Sequence, residues 1–177
     1  EKLIEEKKEL KKGLMQKLLT GEVRLAGFDG EWEGVRIYKL LDYEQPNKYI
    51  TDNIVEYNRD AVPVLTANKS FILGFTNDKH GIYRNTPVII FDDFTTSSKY
   101  VEFPFKVKSS AIKILTAKTD KVNLRFIYEL MQLIKFPVGG HKRYYLSEYQ
   151  YLKIRLPNIE EQKAIAQILS TADKEIE

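Results

Sequence analysis

Each end of the 177-residue chain carries an amphipathic segment, and the two segments together limit the folds that the chain can adopt. Residues 1–20 contain no proline, and Leu14 and Leu18 belong to an apolar stripe at helical spacing. Gly21 supplies a natural stop, so the pattern predicts a helix over residues 1–20. Because Gly13 weakens such a helix by about 1 kcal/mol relative to alanine, we expect another element to pack on it.

A second helix is predicted after Pro157, near the other end of the chain. Asn158 is a good N-cap, and Glu161 stands three residues later in the capping-box position. Apolar residues then recur every three or four positions, and we expect the helix to continue beyond Glu177. Two such stripes suit helices that pack against each other or against a second copy, and surface helices on a globular core are the alternative. The residues expected to form this helix pairing are Leu14, Leu18, Ile165, Ile168 and Leu169.

The region between these helices, about residues 30–157, is predicted to be mostly β. Its strand-like runs are Val62–Ala67, Phe71–Phe75, Pro87–Phe91, Tyr100–Lys106, Ile112–Leu115 and Tyr151–Leu156. One helix interrupts them, with Leu124 and Met131 on one face and Thr119 or Asp120 as its cap. The predicted fold class is therefore α+β, a mostly β domain with one internal helix that is flanked by long amphipathic helices at both termini.

The composition excludes several classes of function. The absence of cysteine rules out disulfides, thiolate zinc sites and cysteine nucleophiles. The longest apolar run, Val88–Phe91, is far shorter than the roughly 18 residues of a membrane span, so we expect no membrane partner and a cytoplasmic location. The two histidines lie far apart, and the sequence has no glycine-rich phosphate loop. We therefore predict no metal and no cofactor.

Asp92 and Asp93 follow an apolar strand, a position that suits a divalent metal in a nuclease. A nuclease would also need a Glu-x-Lys motif on a following strand, but the matching letters at 161–163 fall in the predicted C-terminal helix. The interpretation that we favour is structural, with Asp93 capping the turn that leads into Phe94. No catalytic residue is predicted.

Three loop clusters, at 68–71, 95–100 and 139–145, combine positive charge, small hydroxyls and aromatic rings in a chain of net charge +3. Lysine and arginine neutralise phosphates, whereas serine and threonine orient the nucleic-acid backbone. The candidate DNA contacts are Lys69, Ser70, Thr96, Ser97, Lys99, Lys142 and Arg143. A further basic face is predicted for Lys106, Lys108 and Lys113. On composition alone, nucleic-acid binding and ordinary solvated loops are equally good interpretations.

Five stretches of the chain are similar to segments of a known family: Leu10–Gly21, Tyr43–Ile50, Pro63–Phe75, Val88–Thr96 and Leu156–Ala166. They resemble the specificity subunit of type I restriction–modification systems. The last stretch is similar to the family's helix start, in which Glu-Gln follows a proline. The resemblance covers nearly the whole chain, in the expected order.

This resemblance implies a non-catalytic protein. Family members carry two target-recognition domains, each of which reads one half of a split DNA site, separated by long spacer helices. Partner subunits supply adenine-specific methyl transfer and ATP-driven cleavage. By this comparison, residues 1–21 are a spacer helix, 22–156 a target-recognition domain like those of adenine-specific DNA methyltransferases, and 157–177 the start of a second spacer helix.

The resemblance also implies the partners. These are double-stranded DNA, the methyltransferase and restriction subunits, and, if the chain is a half-subunit, a second copy paired through the terminal helices. A fragment of a full two-domain subunit is the alternative to a half-subunit. The alternative function is a protein-interaction module that acts through its coiled-coil helices and does not bind DNA.

Overall fold

The computed structural model describes residues 1–68 and 70–177. These residues form two compact units, each assembled from stretches that are separate in the sequence. The first unit contains Glu1–Leu40, Ala117–Lys135 and Leu152–Glu177, and the second contains Leu41–Thr116 and Phe136–Tyr151. The first and last residues of the chain therefore belong to the same unit.

Helices and strands both contribute to the chain, as the predicted α+β class requires. The α-helices of the described residues are α1 (Lys2–Leu18), α2 (Ile37–Leu40), α3 (Leu124–Leu133) and α4 (Ile159–Ile176). The strands are β1 (Glu33–Arg36), β2 (Leu41–Glu44), β3 (Val62–Leu65), β4 (Ile72–Thr76), β5 (Val88–Asp92), β6 (Ser98–Val101), β7 (Lys106–Val107), β8 (Ile112–Ala117) and β9 (Lys153–Leu156). Short 3₁₀ helices occupy Asn47–Tyr49 and Tyr149–Tyr151. The fold class is confirmed.

In the first unit, α1 and α4 pack side by side in opposite directions. The Lys7 Nζ atom lies 3.7 Å from the Glu175 carboxylate. Arg24, which follows α1, instead reaches Glu161 in the first turn of α4. The helix α3 packs on both of them, and β1 pairs with β9 in an antiparallel ribbon. The two terminal helices therefore pack against each other within one chain.

The apolar stripe of α1 is buried only at the end of the helix. Leu18 is buried and Leu14 is half-buried, whereas Leu3 and Leu10 are exposed. On α4, Ile165 and Leu169 are buried and Ile168 is half-buried. A Cβ atom added to Gly13 would meet nothing within 4 Å, so the packing of α1 on α4 does not involve the face that carries this glycine.

A charged network joins the three long helices of the first unit. The Glu129 carboxylate on α3 is fully buried, and it accepts hydrogen bonds of 3.0 and 2.8 Å from the Arg125 guanidinium. Lys11 of α1 lies 3.5 Å from the same carboxylate. Asp173 of α4 pairs with both Arg125 and Lys11. Two positive and two negative side chains are thus packed together between the helices.

The start of α4 is fixed by two polar side chains. The Asn158 side chain accepts the Glu161 N–H at 3.0 Å, as predicted for the N-cap. The Gln162 side chain donates to the carbonyls of Lys121 and Pro157 and accepts the Asn123 N–H. These bonds account for the glutamine of the Glu-Gln pair at this helix start.

Two predicted capping roles are wrong. The Glu161 side chain does not complete a capping box, because its two oxygens accept hydrogen bonds of 2.7 and 2.8 Å from Arg24. The cap of α3 is neither Thr119 nor Asp120 but Asn123, whose side chain accepts the Phe126 N–H at 2.8 Å. At α3, a polar residue a few positions away has the geometry that the cap needs, whereas at α4 the N-cap Asn158 acts without a reciprocal bond from Glu161.

Two sheets form the framework of the second unit. One has the order β2-β8-β5-β6, with β5 antiparallel to both β6 and β8. The other has the order β4-β3-β7, with β3 antiparallel to β4 and parallel to β7. Strands of both sheets contribute to one apolar core, whose buried members are Leu65, Ala67, Tyr83, Val88, Ile90, Val101, Phe105, Val107, Ile112 and Ile114.

Strand β5 is buried along its whole length. Val88 and Ile90 point into the core just described. Phe91 packs in an aromatic cluster, with ring centroids 5.2 Å from Tyr145 and 4.7 Å from Tyr149. This burial on both faces explains the continuous apolar run in the sequence. It also anchors the residues that follow β5.

Gly81 occupies a position that no other residue suits. Its φ is +59°, and a Cβ atom there would lie 1.9 Å from the Lys48 carbonyl oxygen. We expect Gly81→Ala to lower the free energy of unfolding by about 1–3 kcal/mol, measured by urea denaturation. The control is Gly139→Ala, which meets nothing within 4 Å and should change stability by less than about 0.5 kcal/mol. Equal losses in both variants would contradict this prediction.

Candidate nucleic-acid interface

A tight turn connects β5 to β6 at one end of the four-stranded sheet. The Asp92 carboxylate accepts the N–H groups of Phe94 and Thr95, both at 2.9 Å. The Asp92 backbone N–H donates to the Ser97 carbonyl, and the Thr96 N–H donates to the Asp92 carbonyl, each at 2.8 Å. The residue that caps this turn is therefore Asp92, and the prediction that Asp93 caps it is wrong.

The β5–β6 turn is bonded to the β3–β4 turn through one asparagine. The Asn68 side chain donates to the Asp92 carboxylate at 3.3 Å. Its carbonyl oxygen accepts the Thr95 hydroxyl at 3.2 Å. Two of the three predicted loop clusters are thus held together by side-chain hydrogen bonds.

Asp93 joins the third loop cluster to the same turn. Its carboxylate forms a buried ion pair with Lys113 at 2.8 Å and accepts the Tyr145 N–H at 2.8 Å. Its backbone carbonyl accepts the Tyr144 N–H at 3.0 Å, and its N–H donates to the Ala111 carbonyl at 2.9 Å. One buried aspartate therefore connects three segments of the second unit.

Arg143 is oriented by groups from two other segments. Its guanidinium donates to the Ser110 carbonyl at 3.1 Å and to the Ser110 hydroxyl at 3.3 Å. Its Cζ atom lies 5.5 Å from the centroid of the Phe94 ring, in cation–π geometry. Both side chains are exposed, so a cationic group and an aromatic face are presented together.

The aromatic cluster beneath these loops is neutral. Tyr145 and Tyr149 are buried, and burial raises the pKa of both hydroxyls. Phe136 packs against Tyr149 with ring centroids 5.5 Å apart. The loops that carry the charged groups of the surface therefore pack on a buried, uncharged aromatic cluster.

Two non-glycine residues of the described chain have positive φ, and both lie in these loops. Thr96 has φ +59° and His141 has φ +52°. Histidine is enriched in this region of backbone space, whereas a β-branched residue there is an outlier. Such conformations cost on the order of 1–3 kcal/mol, and they cluster at functional sites.

The seven candidate DNA contacts fall into three groups. Ser70, Ser97, Lys142 and Arg143 are exposed, Thr96 and Lys99 are half-buried, and Lys69 lies outside the described residues. All of them belong to the three loop clusters, whose members Asn68, Thr95 and Tyr145 are hydrogen-bonded around Asp92 and Asp93. The structure thus gathers separate parts of the sequence at one end of the sheet.

The predicted basic face of three lysines is not present. Lys113 is 2% exposed and pairs with Asp93. Lys106 is also 2% exposed, and its ammonium lies 3.2 Å from Asp78. Hydrogen bonds from the His80 N–H and from Lys106 lower the pKa of Asp78. Buried ion pairs leave neither lysine available to a phosphate.

Lys108 is the exception, because its side chain is 38% exposed. It lies 2.6 Å from Asp52, which is 88% exposed. The hydrogen bond from Lys108 lowers the pKa of that carboxyl group. The pair is therefore a surface ion pair, which water and salt screen strongly.

Sequence reasoning gave Asp92 and Asp93 a structural role, but it did not predict that they organise this surface, and it missed Ser110. Asp92, Asp93 and Ser110 bind no ligand in our interpretation, yet they fix the loops and the Arg143 side chain. The signal in the sequence was the pair of aspartates directly after an apolar strand, since loops need hydrogen-bond acceptors for their backbone N–H groups.

The described residues contain no cluster of three or more acidic or histidine side chains that could hold a metal ion. Within the same residues, every helix is too short or too polar to cross a membrane. A groove of the first unit has a volume of about 560 Å³ and runs beside Pro157 and Gln162.

A β framework that presents hydrogen-bonded polar and basic loops at one end of a sheet defines a recognition domain, in which loops on a rigid scaffold bind the ligand. The chain belongs to the type I restriction modification DNA specificity domain family, which its residues 29–177 match. This family assignment confirms the resemblance found in the sequence.

Individual proteins support the assignment. The chain is 43% identical over 162 residues to a type I restriction enzyme specificity subunit of Escherichia coli, covering 86% of the chain and 40% of that protein. Its fold is similar to the S subunit of a type I restriction–modification system from M. genitalium, with a TM-score of 0.71 at 16% identity. The HsdS subunit from Thermoanaerobacter tengcongensis matches with a TM-score of 0.58 at 15% identity.

The chain spans less than half the length of each of these relatives. The two structures are matched over 99% of the chain, but over only 49% and 46% of their own length. One copy of this fold thus corresponds to about half of a subunit of that kind.

Proposed function

We propose that the chain is a DNA-recognition domain of a type I restriction–modification specificity subunit and that it reads one half of a bipartite site. The observation that carries this proposal is the bonding of three loop clusters around Asp92 and Asp93. Loops that are bonded to one another present their polar groups to a duplex in a fixed arrangement. Membership of the specificity family supports the same function.

The chemistry of the surface fits double-stranded DNA. Lys142 and Arg143 are exposed cations that neutralise phosphates, and Arg143 is already oriented by Ser110 and Phe94. The hydroxyls of Ser70 and Ser97 suit phosphate and sugar oxygens. Major-groove base edges offer donors and acceptors that the remaining loop side chains can reach.

We propose further that the domain is not itself an enzyme and that it works in the cytoplasm without a cofactor. Methyltransferase and restriction subunits assemble with it and supply the reactions. In this proposal, residues 1–21 and 157–177 serve as spacer helices and residues 22–156 as the recognition domain. The E. coli relative is named as a specificity subunit of a type I restriction enzyme, which supports this assembly.

A bipartite site needs two recognition domains. The relatives are more than twice as long as the part that this chain matches, so a second domain is provided either by the rest of a longer chain or by a second copy. A second copy would impose two-fold symmetry on the DNA site. The exposed Leu3 and Leu10 of α1 are available to such a partner.

The test reverses the charge of one loop. We expect Lys142→Glu with Arg143→Glu to weaken binding at least roughly tenfold, because two phosphate contacts are lost and replaced by repulsion. The measurement is fluorescence anisotropy with a duplex selected by the wild-type chain from a pool with a randomised centre. The slope of log K against log salt should fall by up to about 2.

The matched control places the same charge change on α1, as Lys12→Glu with Lys17→Glu, since both residues are exposed there. It should leave affinity and salt slope close to the wild-type values. Unchanged binding by the loop variant would remove this loop from the interface. If the wild-type chain shows no salt-dependent binding to any duplex, the alternative of a protein-interaction module that acts through its helices replaces our proposal.

A further inference from the structure

Thr96 holds a backbone conformation that its own side chain disfavours. Its φ of +59° lies in the left-handed region, which glycine adopts freely and β-branched residues avoid. The residue is fourth after β5, in a turn that belongs to the proposed DNA surface. A glycine would complete the same turn without strain.

The fold gains little from threonine at this position. The hydrogen bonds that close the turn involve the Thr96 N–H with the Asp92 carbonyl, and the Asp92 N–H with the Ser97 carbonyl. All of these groups belong to the backbone, so glycine would keep them. Throughout residues 1–68 and 70–177, no hydrogen bond of the Thr96 hydroxyl is found.

The neighbouring threonine has a different role. The Thr95 hydroxyl donates to Asn68 at 3.2 Å and accepts the Ser97 N–H at 3.3 Å. It is therefore occupied in joining the two turns. The Thr96 hydroxyl and methyl group are half-buried, and they remain available to a ligand on the same surface.

We propose that Thr96 is a specificity-determining residue that reads a base edge. This inference rests on the proposed function. A threonine hydroxyl can donate to or accept from either kind of base pair, and its methyl group can contact the methyl group of thymine. Glycine at this position would remove the backbone strain. Strained backbone conformations of this kind cluster at functional sites, where the side chain serves binding and not stability.

The central experiment is Thr96→Gly. Because the substitution relieves backbone strain, we expect the Tm to rise by about 2–4 °C. The affinity of Thr96→Gly for the duplex selected by the wild-type chain should fall about tenfold, which is the loss expected for one base contact. Affinity for the random duplex and its salt slope should stay unchanged, because no phosphate contact is removed.

Two further variants separate stability from recognition. Thr96→Ala keeps a side chain in the left-handed region, so it should lose specificity without the rise in Tm. Thr119→Gly replaces an exposed turn threonine whose φ is not positive. It should lower the Tm, because the unfolded chain gains freedom and the Lys121 N–H loses its 3.2 Å hydrogen bond to the Thr119 hydroxyl. Together they show whether the gain in Tm comes from relief of strain.

Three results of these binding measurements would overturn the inference. If Thr96→Gly prefers the selected duplex over the random duplex as strongly as the wild-type chain does, the role of Thr96 is overturned and DNA recognition by the domain is not. An equal loss of affinity for both duplexes would make Thr96 a backbone contact and would also overturn base reading. A wild-type chain that binds neither duplex would reject the proposed function and, with it, this inference.

Discussion

Lys113→Met is expected to lower the free energy of unfolding by about 3–5 kcal/mol. Lys113 and Asp93 are 2% and 1% exposed, and their charged atoms lie 2.8 Å apart. Removing the ammonium leaves the carboxylate buried with the Tyr145 N–H but without its counter-charge. Urea denaturation should show a lower midpoint and an unchanged slope, because the native surface is the same.

An exposed ion pair of the same unit provides the control. Lys108→Met breaks the pair with Asp52, where both partners are accessible to water, and should cost less than about 1 kcal/mol. A second control, Asp93→Asn combined with Lys113→Met, removes both charges and should recover part of the loss, so that a double-mutant cycle gives the coupling energy. If Lys113→Met costs no more than Lys108→Met, the buried pair does not hold the loops.

Long periodic segments were predictable from the sequence. The helices α1, α3 and α4 follow from apolar residues at helical spacing, and β5 follows from a continuous apolar run that is buried on both faces. Such patterns span enough residues for one interpretation to dominate. Their ends were less certain, because caps depend on single side chains such as Asn123.

Strands that depend on distant partners were not predicted. The strand β1 reads Glu-Gly-Val-Arg, with no apolar alternation, and it exists because β9 pairs with it across more than a hundred residues. The predicted strand over Tyr100–Lys106 is divided into β6 and β7. Pro104 lies between them and has no N–H to donate to a ladder, a signal that was present in the sequence.

The candidate surface was predictable in its loops but not in its charges. Composition identified the clusters, since hydroxyls and cations beside turn residues are visible in any sequence. It could not distinguish Arg143, which is exposed, from Lys106 and Lys113, which are buried in ion pairs. That distinction depends on acids 20 or more positions away, which only the folded chain brings close.

A comparably large effect is expected in the first unit for Arg125→Met. The fully buried Glu129 carboxylate would lose the guanidinium that donates to it at 2.8 and 3.0 Å. Lys11, 3.5 Å away, would remain as the cation for both Glu129 and Asp173. One cation would then face two carboxylates, so one negative charge would lack a counter-charge. A buried charge in that state costs about 3–5 kcal/mol, and the midpoint of urea unfolding should fall accordingly.

Two comparisons make this prediction specific to the network. Lys2→Met removes an exposed cation that lies 3.9 Å from Glu6, and it should have an effect below about 0.5 kcal/mol. Arg125→Met with Glu129→Gln removes one charge of each sign and should be more stable than Arg125→Met alone, because the buried negative charge is gone. If the double variant is no more stable, the loss in Arg125→Met comes from packing of the arginine side chain and not from the unpaired carboxylate.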